Sequence, residues 1–231
     1  MKGIVGSRSI LLGLAIGVSV ALVSCAGTQR ACEEREQPRE TETGWVSIFN
    51  GEDLTGWEVM GPAKDAFYVE DGVLACKGGE GFWIRYTEEL GNFVLRLDYK
   101  VSPRANSGVF IRSKERGHPA YSGFEVQILD DHGKPLGTHL SGAIYDVLAP
   151  TENTSKPTGE WNNFEITCDG PKVVVVHNGV KVIDINLDEF TEPIGKFKIP
   201  YSKLPRRGYI GLQDHGFPLW FRNIQLNKLP D

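Results

Sequence analysis

The segment Phe124-Glu125-Val126-Gln127-Ile128-Leu129-Asp130 alternates large apolar and polar side chains. That is the pattern of a strand with one buried and one wet face. Phe124, Val126 and Ile128 take one face, Glu125 and Gln127 the other, and a β-bulge near Leu129 would return Asp130 to the polar face. Two carboxyls on one rigid strand are the minimum equipment for acid/base chemistry on a sugar. The same pattern also describes an edge strand whose polar face is merely solvated.

Other groups with chemical potential surround it in the sequence. Gly108-Val109-Phe110-Ile111-Arg112 reads as a strand with Phe110 and Arg112 on one face. Gln213-Asp214-His215-Gly216 ends another, either as a functional loop or as a tight turn. Asp130, Asp131, His132 and His139 offer oxygen and imidazole ligands for a divalent cation, although their spacing matches no metal signature. Trp57, Trp83 and Tyr145 are either sugar-stacking platforms or core aromatics. The glycine-rich run Gly78-Gly79-Glu80-Gly81-Phe82 lacks the spacing of a dinucleotide or phosphate loop, and no helix follows it, so no nucleotide cofactor is required.

The elements that must hold these residues are strands. Asp71-Gly72, Asp169-Gly170 and Asn178-Gly179 sit between apolar alternating runs, the strongest short-range hairpin signals. Asn92 to Val101 alternates over a length that suits a long core strand. Residues 149–160 read as a surface loop, and 187–207 as a long connection with little periodicity. No segment carries a helical stripe over three turns. A dozen or so short strands with turn punctuation, 27 Gly and 13 Pro predict an all-β sandwich or barrel. Bulky residues at alternate positions favour the sandwich of two packed antiparallel sheets.

The chain has 231 residues and a formal net charge of −5. The length suits one large β domain plus a tail. The charge argues against a nucleic-acid partner. Lys2 and Arg8 precede an apolar run from Ile10 to Val23, too short for a comfortable membrane span. Leu22-Val23-Ser24-Cys25 resembles a bacterial lipobox. That resemblance implies a signal peptide over 1–24, lipidation of Cys25 and an anchored protein of the bacterial cell envelope, with Ala26 favouring the outer membrane. Residues 25–43 read as a flexible tether, and the folded domain as 44–231. Cys32 lies in the tether, while Cys76 and Cys168 read as small buried hydrophobes.

Six motifs occur in order: Phe49 to Trp57, Val69 to Leu74, Asn106 to Arg112, Gly123 to Asp130, Ser141 to Tyr145, and Gly208 to His215 followed by Phe221-Arg222-Asn223-Ile224. Together they resemble the 3-keto-disaccharide hydrolase family, also described as 3-keto-glucoside 1,2-lyases and 3-keto-2-hydroxyglucal hydratases. The resemblance runs from about residue 44 to the C-terminus. It implies a concanavalin-A-like jelly roll with a sugar cleft on its concave face. It also implies a substrate oxidised at C3 by a separate glycoside 3-oxidoreductase.

Cleavage of such a glycoside begins with removal of the acidified C2 proton. The aglycone then leaves from C1, and water adds to the enone. This needs a base, an enolate stabiliser, a proton donor and a sugar-shaped cleft. On chemical grounds Glu125 is the candidate base, and Asp130 or His215 the proton donor. Arg112, Gln127 and Gln213 are candidates for holding sugar hydroxyls or the enolate oxygen. Two other functions use the same residues. Glu125-x-Gln127-x-x-Asp130 is similar in outline to the Glu-x-Asp-x-x-Glu strand of laminarinase-like retaining glycosidases, although Gln127 replaces the middle carboxylate. A carbohydrate-binding module without catalysis would need only aromatics and a carboxylate.

Overall fold

The structure is a computed structural model and describes residues 44–79 and 82–230. The expected signal peptide, Cys25, Cys32 and the tether lie outside the described residues. The strands are β1 (Val46–Ser47), β2 (Trp57–Met60), β3 (Phe67–Glu70), β4 (Val73–Cys76), β5 (Trp83–Tyr86), β6 (Phe93–Val101) and β7 (Asn106–Ser113). They continue with β8 (Phe124–Leu129), β9 (Trp161–Asp169), β10 (Lys172–His177), β11 (Val180–Asn186), β12 (Tyr209–Gln213) and β13 (Leu219–Lys228). One four-residue helix, α1 (Pro119–Ser122), sits between β7 and β8.

The strands form two antiparallel sheets. The larger has eight strands, in the order β11-β10-β9-β6-β13-β4-β3 with β1 added on β13. The smaller has five, in the order β2-β5-β12-β7-β8. This is the two-sheet sandwich that turn spacing and alternation favoured, and the jelly roll that the family resemblance implied. The hairpin signals are turns as read: Asp71-Gly72 joins β3 to β4, and Asn178-Gly179 joins β10 to β11, with positive φ at all four residues.

Alternation makes the core. Leu95, Leu97 and Tyr99 of β6 and Phe164 and Ile166 of β9 face Val109 and Ile111 of β7, Val126 and Ile128 of β8, and Ile210 and Leu212 of β12. Each large apolar side chain withdrawn from water in this way stabilises the fold by about 1.5–3 kcal/mol. The odd-numbered partners of β8 therefore point away from the core, onto the outer face of the smaller sheet. Cys76 and Cys168 are free and buried, and burial pushes both thiols up to about 12.

The β7–β12 ladder departs from regular pairing. Tyr209 opposes Ser113 and Gly211 opposes Phe110, so Ile111 and Arg112 together face Ile210. Arg112 takes φ 51° in this bulge.

Candidate active site on the smaller sheet

Strand register assembles the site. Glu58 of β2 opposes Arg85 of β5, which opposes Gly211 of β12, then Phe110 of β7, then Glu125 of β8. In the next row Met60 opposes Trp83, which opposes Gln213, while Gly108 opposes Gln127. Although β8 is the edge strand of its ladder, residues 142–145 extend it. Val126 bridges Ile144 in antiparallel register, Gln127 N donates to Ala143 O at 3.0 Å, and Tyr145 N donates to Glu125 O at 3.0 Å. Val126 and Ile144 both point inward, so Glu125 and Tyr145 are neighbours on the outer face.

Glu125 is only 3 % exposed. No described group donates a hydrogen bond to its carboxyl. Burial raises its pKa to about 8, against the opposing charge of Lys196. The side chain lies flat over Gly108: a Cβ there would sit 2.1 Å from Glu125 Oε1. Gly211 has the same function under Trp83, whose ring a Cβ would meet at 2.0 Å. Trp83 in turn packs edge-on against Phe110, with centroids 5.7 Å apart. Two glycines without special φ thus let a carboxyl and an indole lie against the sheet.

Gln127 is fixed. Its Nε2 donates to Asn106 Oδ1 (2.7 Å), Ser107 O (3.0 Å) and Ile128 O (3.1 Å), while its Oε1 accepts nothing from the described residues. Gln213 Oε1 is likewise buried without a donor among the described residues. Two acceptor oxygens therefore stand on the face that carries Glu125. Unsatisfied buried oxygens cost roughly 1–3 kcal/mol each until a donor arrives.

Lys196 completes the edge. Its ammonium hydrogen-bonds the Tyr145 hydroxyl and lies 4.4 Å from the centre of that ring. Asp146 anchors both neighbours: Oδ2 accepts from Lys196 N at 2.8 Å, and Oδ1 meets His139 Nε2 at 3.1 Å.

Several residues singled out from the sequence lie elsewhere. Arg112 is completely buried between the sheets. The bulge turns its side chain inward, where it donates to Gly91 O, Gly170 O and Asn92 Oδ1 at 2.7–3.1 Å. It ties strand ends together and does not reach the face of Glu125. Trp57 is a core residue, packed on Tyr86 with Nε1 donating to Ile48 O at 2.6 Å. The register of β8 with β7 is regular through Leu129, so no bulge returns Asp130 to the row of Glu125. The Asp130 carboxylate instead accepts from Thr158 Oγ1 (2.6 Å) and Arg104 N (2.8 Å). Burial raises its pKa, but these bonds and the Lys134 charge outweigh that and hold it below the ordinary range. A carboxyl held that low is a poor proton donor at neutral pH. His215 is exposed in the turn that Asp214 closes by accepting from Gly216 N and Gly79 N.

The four groups considered as cation ligands are dispersed. Asp131 accepts from Ser141 N and Oγ, His132 pairs with Ser155 O, and His139 pairs with Asp146. Among the described residues no cluster of three or more His, Cys, Asp or Glu is placed to hold a metal ion. A recess on the larger sheet, between Ser47, Asn50, Asp71, Arg222 and Gln225, holds none of the candidates. Among the described residues that recess offers no buried unpartnered donor or acceptor, whereas polar groups converge on the smaller sheet.

Residues 44–227 match the model of the 3-keto-alpha-glucoside-1,2-lyase-like domain. A curated 3-keto-disaccharide hydrolase of Bacteroides thetaiotaomicron is 29% identical, covering 94% of this chain and 96% of that protein. A Parabacteroides distasonis protein provisionally named a glycosyl hydrolase has a crystal structure with TM-score 0.71 and 32% identity, covering 80% of this chain and 99% of that one. A carbohydrate-binding module of Bacillus subtilis shares the fold alone, with TM-score 0.52 and 12% identity over 76% of this chain and 97% of that one.

Proposed function

The chain belongs to the 3-keto-alpha-glucoside-1,2-lyase-like domain family, and from that premise we propose that it cleaves glycosides oxidised at C3. In this reading Glu125 removes the proton on C2, the aglycone leaves across C1–C2, and water adds to the resulting 3-keto-2-hydroxyglucal. One observation carries the proposal: a buried carboxyl that titrates near 8 and accepts no hydrogen bond from the described residues, on a sheet face with two amide oxygens that have no partner among them. A base is most effective when its pKa lies near the working pH, and a C2 proton acidified by a neighbouring ketone needs such a base. Gln127 and Gln213 would accept hydroxyl hydrogens of the sugar, with Trp83 and Phe110 as the apolar wall.

A retaining glycosidase needs a second carboxyl about 5–5.5 Å from the first. Asp130 is committed to Thr158 and Arg104. Glu58 stands four strands from Glu125, about 19 Å at the usual spacing of about 4.8 Å, and is paired with Arg85. These placements favour elimination over displacement. The substrate would come from a separate oxidoreductase acting at C3. The lipobox at Leu22–Cys25 would hold the protein at the cell envelope by its lipid.

The test is a matched pair of glucosides, one with a C3 ketone and one without, followed by product analysis. The ketone should be cleaved and the unoxidised sugar left intact. Equal cleavage of both would overturn the reading.

A further inference from the structure

We propose that Tyr145 and Lys196 form the second half of the catalytic centre: the Tyr145 hydroxyl, held by the Lys196 ammonium, protonates the departing glycosidic oxygen. The inference rests on the elimination reading above. Its geometry stands independently of that reading. Tyr145 opposes Glu125 in register, backbone to backbone, so the two side chains project side by side. Lys196 arrives from a segment about 50 residues further on, and the meeting is built. Asp146 holds the Lys196 backbone and, through His139, the far side of the Tyr145 ring, whose centroid is 5.0 Å from the imidazole. Gly195 lets the segment close on Asp146, since a Cβ there would stand 2.4 Å from Asp146 Oδ2. The hydroxyl also holds the Lys196 ammonium above its ordinary pKa.

The atoms balance. Glu125 takes the C2 proton, and the C2–H electron pair passes into the enolate of the C3 ketone, from which it forms the C1–C2 double bond as the ketone is restored. The C1–O pair passes to the glycosidic oxygen, which receives the Tyr145 proton. The ammonium balances the charge left on the phenol oxygen. In hydration the phenolate takes a proton from water, the hydroxide joins C1, and Glu125 returns its proton to C2. The sum is glycoside plus water giving free aglycone and 3-keto sugar, with no change of oxidation level.

The test compares two 3-keto-glucosides with the full-length protein, one bearing an alkyl aglycone and one a 4-nitrophenyl aglycone. An alkoxide needs a proton to leave, whereas a nitrophenolate does not. Tyr145→Phe should lose about 10²–10⁴-fold on the alkyl substrate and only a few-fold on the nitrophenyl one, with C2–H exchange into heavy water retained. Lys196→Met, at an exposed position, should reproduce that split, and Lys196→Arg should largely restore the alkyl rate. Equal losses on both substrates, or none on either, would overturn the assignment. Failure of the underlying reading shows itself differently: the wild type would then exchange no C2 hydrogen.

Discussion

Replacing Glu125 with Gln should make the protein less active and more stable, by an amount that depends on pH. The carboxyl titrates near 4.5 when the chain is unfolded and near 8 when folded. A folded pKa above the unfolded one means the native state binds the extra proton. The stability linked to this group is therefore complete below pH 4.5 and is lost as pH rises through 8. The difference between the two states corresponds to about 5 kcal/mol, of which about 3 kcal/mol is gone by pH 7. Gln keeps the shape over Gly108 and cannot ionise. Urea unfolding of both proteins between pH 5 and pH 9 isolates the effect, because every other titrating group is common to both. The difference in unfolding free energy should grow in favour of Glu125→Gln by several kcal/mol across that range. Turnover of the 3-keto substrate should fall about 10²–10⁴-fold. A difference that stays constant with pH would refute the burial argument. Full activity in the variant would remove Glu125 as the base.

Gly108→Ala puts a methyl group 2.1 Å from Glu125 Oε1; steady-state kinetics should show a loss of about 10²-fold, since a displacement of about 1 Å can cost that much. Arg112→Met leaves the carbonyls of Gly91 and Gly170 without their donor; it should lower unfolding stability by roughly 3 kcal/mol while leaving KM unchanged at temperatures where the variant is folded. Burial and the Lys156 charge push His177 down to about 4 from 6.5. The folded pKa lies below the unfolded one, so stability should fall by about 3 kcal/mol as pH drops from about 6.5 to 4, and thermal melts of His177→Gln should show a smaller loss over that window.

The strand carrying Glu125 and Gln127 was legible because local alternation fixes which face a side chain takes. Its burial was not. The polar face is enclosed by residues 142–145 and by the 187–207 connection, whose places depend on long-range pairing. Arg112 shows the limit of counting by twos. The bulge that turns it inward is set by its pairing with Tyr209 and Gly211, about 100 residues later. Asp130 shows the converse, for there a bulge was expected and the ladder runs regular. Lys196 lies in a stretch without periodicity. The only local sign was Gly195 before it, and the reason for that glycine is Asp146. Trp57 and Trp83 read alike in the sequence, and only the register sends one into the core and the other to the site face.

The central claim is that the C2–H bond breaks and reforms. Turnover of a 3-keto-glucoside in deuterated water, with the released sugar analysed by NMR, tests it directly. Elimination followed by hydration predicts solvent deuterium at C2 of the product. Complete cleavage with hydrogen retained at C2 would contradict it.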